Sequence, residues 1–253
     1  MTIDLRCDEH DMRKIESLLL DHDIARSDFR GELYDWLGNS FDGVWLELKG
    51  RQPVRLNTET SARLFMIPDR STVRVLNVNE DGNAPAGTKI HFVNSFVPDD
   101  EQNSVVVFSL EKTPGVWSAA LHIGRMKLRP DAPARLCTVA FGMMAVTAYR
   151  LGFDHIQLYA AGRGPLHQTD PDAYIGYRVW PKFGFDAPVN AAEMSGHPLA
   201  SMHGLRTVQE VLARTPQWWD ACGSGRPMQF DVSPTSRSWS ILINYLWTTL
   251  ADF

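Results

Sequence analysis

The order of elements in the middle of this chain constrains its fold more than any composition figure. The segment Val116–Gly124 is β-rich and built from small residues, and residues 134–151 then read as a long helix. Leu136, Val139, Ala140, Met143, Met144 and Thr147 recur at helical spacing and form an apolar stripe. Leu151-Gly152-Phe153 stops that helix, with Gly152 suited to a left-handed C-cap. Residues 154–161 are apolar enough to be a central strand. One loop later comes Gly176–Phe185, a short amphipathic helix ending in Lys182, Phe183, Gly184 and Phe185. Asp170 can cap that helix and Pro171 suits its first turn, while Pro181 should kink or end it.

The flanks differ in texture. Residues 1–40 are acidic, with nine acidic and five basic side chains between Met1 and Glu32. Met12, Ile15, Leu18 and Leu19 fall at helical spacing. The expectation is an N-terminal helical extension over 1–40 and a single α/β domain over 41–253. Within that domain Val44–Leu48, Val54–Leu56, Thr72–Val78, Thr88–Val93 and Val105–Leu110 are short, β-rich and separated by turn residues, which predicts a largely antiparallel sheet. Toward the C-terminus, a helix is expected from Gly204 to about Thr215 with Pro216 as its stop. A strand over Pro227–Val232 and an apolar helix over Trp239–Leu250 should follow. The fold class is therefore α/β (α+β): a twisted mixed sheet flanked by helices, with helical additions at both ends.

Composition limits the function classes. A net charge of -5 argues against a general nucleic-acid binder. Cys7, Cys137 and Cys222 are far apart, so a paired-cysteine zinc site and a secreted disulfide framework are both disfavoured. No other metal-ligand spacing is evident. The acidic start lacks a signal peptide's order and no apolar run reaches about 18 residues, so the expectation is a cytoplasmic protein with no membrane span.

The same order of strand, long helix, strand, short helix and Gly-Phe resembles the core of the GNAT-type acyl-CoA N-acyltransferase superfamily. The matching residues are Arg-Leu-Gly-Phe-Asp-His-Ile-Gln-Leu at 150–158 and Trp-Pro-Lys-Phe-Gly-Phe at 180–185, within about 70 residues from 116 to 185. The resemblance implies acetyl-CoA or another acyl-CoA as donor, and a small-molecule or protein amine as acceptor. It also implies that the loop before the long helix holds the CoA pyrophosphate on backbone N–H groups. At that place stands an Arg-x-x-Ala-x-Ala version, which assigns Arg129, Ala132, Ala134 and Arg135 to cofactor binding. Pro130 and Pro133 remove donors there, and Asp131 adds negative charge. Between Trp117 and Arg150, however, five basic residues face one acidic one, a balance suited to an anionic ligand.

Many members of that superfamily place a tyrosine four residues before the Gly of Gly-Phe, where its hydroxyl protonates the leaving thiolate. Trp180 occupies that position. Tyr177 and Tyr174, one and two helical turns back, are the candidate acids, and both also suit aromatic packing. His122 and His91 are candidate bases. Cys137 sits near the helix start as a thiolate candidate or a buried thiol. Three readings stand. One is an acyl-CoA-dependent N-acyltransferase. Another is a non-catalytic GNAT-like binding module. The last is a bacterial effector or toxin-type enzyme of another class, using the Gly162–His167 loop.

Overall fold

The computed structural model describes residues 9–82, 84–165 and 174–250. Seven strands form one mixed sheet: β1 (Tyr34–Asp35), β4 (Thr72–Val78), β5 (Gly87–Val93), β6 (Asn103–Thr113), β7 (Val116–Arg125), β8 (His155–Arg163) and β9 (Ser224–Asp231), in that spatial order. β4 through β7 are antiparallel neighbours, as are β8 and β9. The pairs β1–β4 and β7–β8 are parallel. A separate hairpin is made by β2 (Val44–Leu46) and β3 (Val54–Leu56).

The parallel join of β7 to β8 is made by the crossover helix α4 (Leu136–Arg150). Eleven of its fifteen residues are buried, so it is apolar around most of its circumference and needs cover on several sides. One side is the sheet, through Leu121, Ile123, Ile156 and Leu158. Helices α1 (Glu9–Asp21), α3 (Thr58–Leu64) and α9 (Arg237–Leu250) pack against it. Met12, Ile15 and Leu19 of α1 thus share one core with Phe141 of α4 and Leu246 of α9.

Several expectations move at their boundaries. The strand expected over Val116–Gly124 runs one residue further, to Arg125, and the helix expected over 134–151 runs Leu136–Arg150. The N-terminal helices stop at Asp28, where α2 (Asp23–Asp28) ends, and Tyr34–Asp35 enters the sheet beside β4. The extension is therefore helical only in part, because two of its residues complete the sheet edge. Pro216 does not simply stop a helix. Thr215 ends α7 (Val208–Arg214), and Pro216 opens α8 (Pro216–Cys222), where a missing N–H costs nothing.

The expected helix over 170–182 is described only from Gly176. It is α5 (Gly176–Val179) continued by a 3-10 turn, Trp180–Phe183, that contains Pro181. Asp170 and Pro171 lie outside the described residues. Gly184 then takes φ +94, and its N–H bonds the Pro181 and Trp180 carbonyls. The turn is clamped by Gln209, a buried amide whose Nε2 donates to the Pro181 and Phe185 carbonyls at 2.7 Å each. No helix among the described residues is long and apolar enough to cross a membrane.

Candidate functional site: a gap between two central strands

β7 and β8 pair over only four positions, Ala120 with His155 through Ile123 with Leu158. Beyond Ile123 the first strand stays with β6 as far as Arg125, while beyond Leu158 the second stays with β9 as far as Arg163. The sheet therefore parts between them. The gap holds a cavity of about 530 Å³ lined by Ile123 to Leu128 on one side and by Leu158, Tyr159 and Ala161 on the other. Cys137 of α4 and the segment Tyr174–Gly176, with Val179 and Trp180, complete the lining. Backbone N–H and C=O groups facing such a gap have lost their ladder partner. They suit an extended ligand that alternates amides and carbonyls.

Trp180 packs as part of an aromatic cluster, not as a free surface residue. Its ring lies 5.9 Å from Phe141 and 5.4 Å from Phe185, and Phe141 stacks on Phe183 at 5.2 Å. This ties α5 and its 3-10 turn to α4 and fixes one wall of the cavity.

The two tyrosines separate. Tyr174 is half exposed and lines the cavity. Tyr177 is fully buried, and its hydroxyl donates to the Asp220 carbonyl at 2.9 Å. Its own carbonyl accepts from Trp219 Nε1 at 3.0 Å. Burial pushes the Tyr177 hydroxyl pKa up, with Asp220 adding to that and Arg178 opposing it. Tyr177 is therefore a packing and anchoring residue in this arrangement.

His122 lies on β7 one residue before the strands part, opposite Gln157. It is 5% exposed and faces away from α4, whereas Leu121 and Ile123 face toward it. A second cavity, of about 250 Å³, sits on this other face of the sheet and is lined by His122, Gln157, Asp186 and Gln229 among others. Leu158 and Tyr159 of β8 line both cavities, one on each face of the sheet. His122 Nδ1 is buried with no hydrogen-bond partner. Burial, and then the charge of Lys89, lower its pKa to about 4, so the ring is neutral at pH 7. His91, on the same face of β5, has a buried Nδ1 in the same condition, and burial with Lys89 and Arg74 lowers its pKa too.

The loop before α4 is largely committed to itself. Arg129 pairs with Asp131 at 3.1 Å and with Asp99 at 3.8 Å, and its N–H donates to Phe96. The Ala132 N–H donates to the Arg129 carbonyl, and the Leu136 N–H to that of Pro133. Ala134 and Arg135 are exposed, and Arg135 enters α4 in the left-handed region with φ +70. The basic excess foreseen for this segment is also partly spent: Arg125 and Lys127 both pair with Glu101, and Arg150 with Glu16. The backbone at the helix start has few open donors left for an anion, since Pro130 and Pro133 have none and those of Ala132 and Leu136 are used.

Other candidates have structural explanations. Gly162 has φ +108, and a Cβ there would fall on the Tyr174 carbonyl oxygen. Close approach of the two backbones, not phosphate binding, accounts for it. His167, at the end of that loop, lies outside the described residues, as does Cys7. Burial pushes the Cys137 thiol up to about 12, the opposite of an activated thiolate. His155 bonds Asp154 at 2.9 Å, and Asp154 also pairs with Lys112. Among the described residues no group of three or more His, Cys, Asp and Glu could hold a metal ion.

The gap itself was not readable from spacing, because it depends on where cross-strand pairing ends. Neither a protein-family model, nor a curated protein, nor a solved structure matches this chain.

Proposed function

We propose that this chain is an acyl-CoA-dependent N-acyltransferase of GNAT type, acting on an amine. The observation that carries the reading is the parting of β7 and β8 after the pair Ile123–Leu158, with a cavity in the gap. Such a gap accepts a pantetheine arm as a substitute strand, its amides bonding to the edge groups that the strands no longer share. A bound acyl thioester supplies an activated carbonyl: the C–N bond forms as the C–S bond breaks, giving an amide and a thiol.

In this reading His122 accepts the amine's proton. It lies one residue before the strands part, on the other face of the sheet; its ring is neutral at pH 7, and its pKa of about 4 makes it a weak base there. Tyr174, on the cavity wall, donates a proton to the departing sulfur. Trp180 holds the wall through its aromatic cluster and takes no part in proton transfer.

Titration of the protein with acetyl-CoA and a longer-chain acyl-CoA tests the donor half. Thiol release on adding amines tests the turnover half. Absence of binding at millimolar ligand removes the reading. A second reading, a non-catalytic module of the same fold, is favoured by the committed N–H groups of Ala132 and Leu136. It predicts binding without thiol release.

A further inference from the structure

The second cavity does not end at His122. Asp186, Ala187, Pro188 and Gln229 line it, and the same four residues line a further cavity of about 530 Å³ that runs on to Asp231 and Arg237. The two form one trough along the sheet face opposite α4. Its floor is a polar row set by strand register. His122 stands opposite Gln157, Gln157 opposite Gln229, and Gln229 bridges to Asp186.

Charge along this trough is uneven. Lys112 is tied to Asp154. Arg237 donates to the Gln209 carbonyl at 3.2 Å and lies near enough to Glu210 to lower its pKa after the nearer backbone hydrogen bonds. That leaves Asp186 and Asp231 with no ion pair among the described residues. Each commits only one carboxylate oxygen. Asp186 Oδ1 accepts from the Ala187 and Gln209 N–H groups at 2.8 and 3.0 Å, and Asp231 Oδ1 from that of Ser233 at 2.8 Å. The Oδ2 atoms have no donor among the described residues.

Spacing then defines the ligand. Adjacent strands lie about 4.8 Å apart, so His122 and Gln229 are separated by roughly 10 Å across the row. Asp231 lies about 6.6 Å further along β9 from Gln229, at about 3.3 Å per residue. The nearer carboxylate, Asp186, sits beside Gln229. A ligand reaching from His122 to these carboxylates is an extended chain with cationic groups spaced by several methylenes.

The geometry points to a linear aliphatic polyamine as the acceptor, its reacting amine at His122 and its remote ammonium groups held by Asp186 and Asp231. This rests on the acyl-transfer reading and names its acceptor. The free amine nitrogen attacks the thioester carbonyl, its proton passes to His122, and the sulfur leaves as the thiol after protonation. One amide and one thiol form for each amine and thioester consumed.

The test separates the trough from the acyl chemistry by omitting the donor. Spermidine is titrated into the full chain alone, beside hexylamine and glutamate as controls. Spermidine should bind at least tenfold more tightly than hexylamine, and glutamate should not bind. Asp186→Asn and Asp231→Asn each keep the Oδ1 acceptor and remove the charge, so folding is retained and checked by thermal melting. Each should weaken spermidine about tenfold and leave hexylamine unchanged. Equal affinity for spermidine and hexylamine, or no effect of either variant, overturns the proposal. Spermidine binding without thiol release from any acyl-CoA supports the trough and overturns the acyl-transfer reading alone.

Discussion

His122 of β7 stands directly across from Gln157 of β8, in the last pair but one before those strands separate. The ring is thus held by regular sheet on one side and borders open space on the other. This is why it is at once 95% buried, unpartnered at Nδ1, and on a cavity wall.

That position makes stability depend on pH. The folded pKa of His122 is about 4, against 6.5 when unfolded, so the unfolded chain binds more protons between those values. The contribution is fully present above about 6.5 and is lost as pH falls toward 4. Denaturant melts across this window should show His122→Gln losing less stability on acidification than the native chain. Parallel curves for the two proteins would refute the assignment.

The tyrosine pair gives a second prediction. Tyr177→Phe removes the bond to the Asp220 carbonyl and should cost about 1 kcal/mol of stability, with turnover little changed. Tyr174→Phe should leave the melting temperature alone and lower turnover by roughly 100-fold or more. A reversed pattern would make Tyr177 the acid.

Asp69 predicts the largest stability effect. It is 3% exposed, and its two oxygens accept from the Arg30, Gly31 and Glu32 N–H groups and from Arg30 Nε, at 2.8–3.3 Å. Asp69→Ala strands these donors and should cost about 3 kcal/mol or more, read from chemical denaturation. A loss below about 1 kcal/mol would show that water replaces the carboxylate.

Cysteine chemistry supplies a fourth. Cys137, with its thiol raised to about 12, should resist iodoacetamide in the folded protein at pH 8, while exposed Cys222 is labelled. Peptide mass spectrometry distinguishes the two sites. Prompt labelling of Cys137 would show that the reagent reaches its thiol through the cavity it lines.

Local pattern carried the elements but not their relations. The α4 stripe and the apolar run in β8 were legible because burial imposes a period on the residues themselves. The helix α3 was missed, although Asn57 caps it by accepting from the Thr60 N–H at 2.8 Å. Seven residues between two strands are too few to display a period. Tyr34–Asp35 was missed as a strand because two residues cannot alternate. Tyr174 and Tyr177 were indistinguishable in sequence, since only tertiary packing sends one hydroxyl to Asp220 and leaves the other at the cavity. Gln209 carried no signal at all, because its two acceptors come from a turn more than twenty residues away.

The four-residue join of β7 to β8 also has a mechanical meaning. It divides the sheet into a five-stranded plate and a two-stranded plate, held together by a narrow seam and by the helix that spans it. Slight rotation of one plate about that seam would change the width of the gap while leaving every other ladder intact. Amides bordering the gap should exchange with solvent deuterium as a set of their own, and slow together when a ligand bridges the plates.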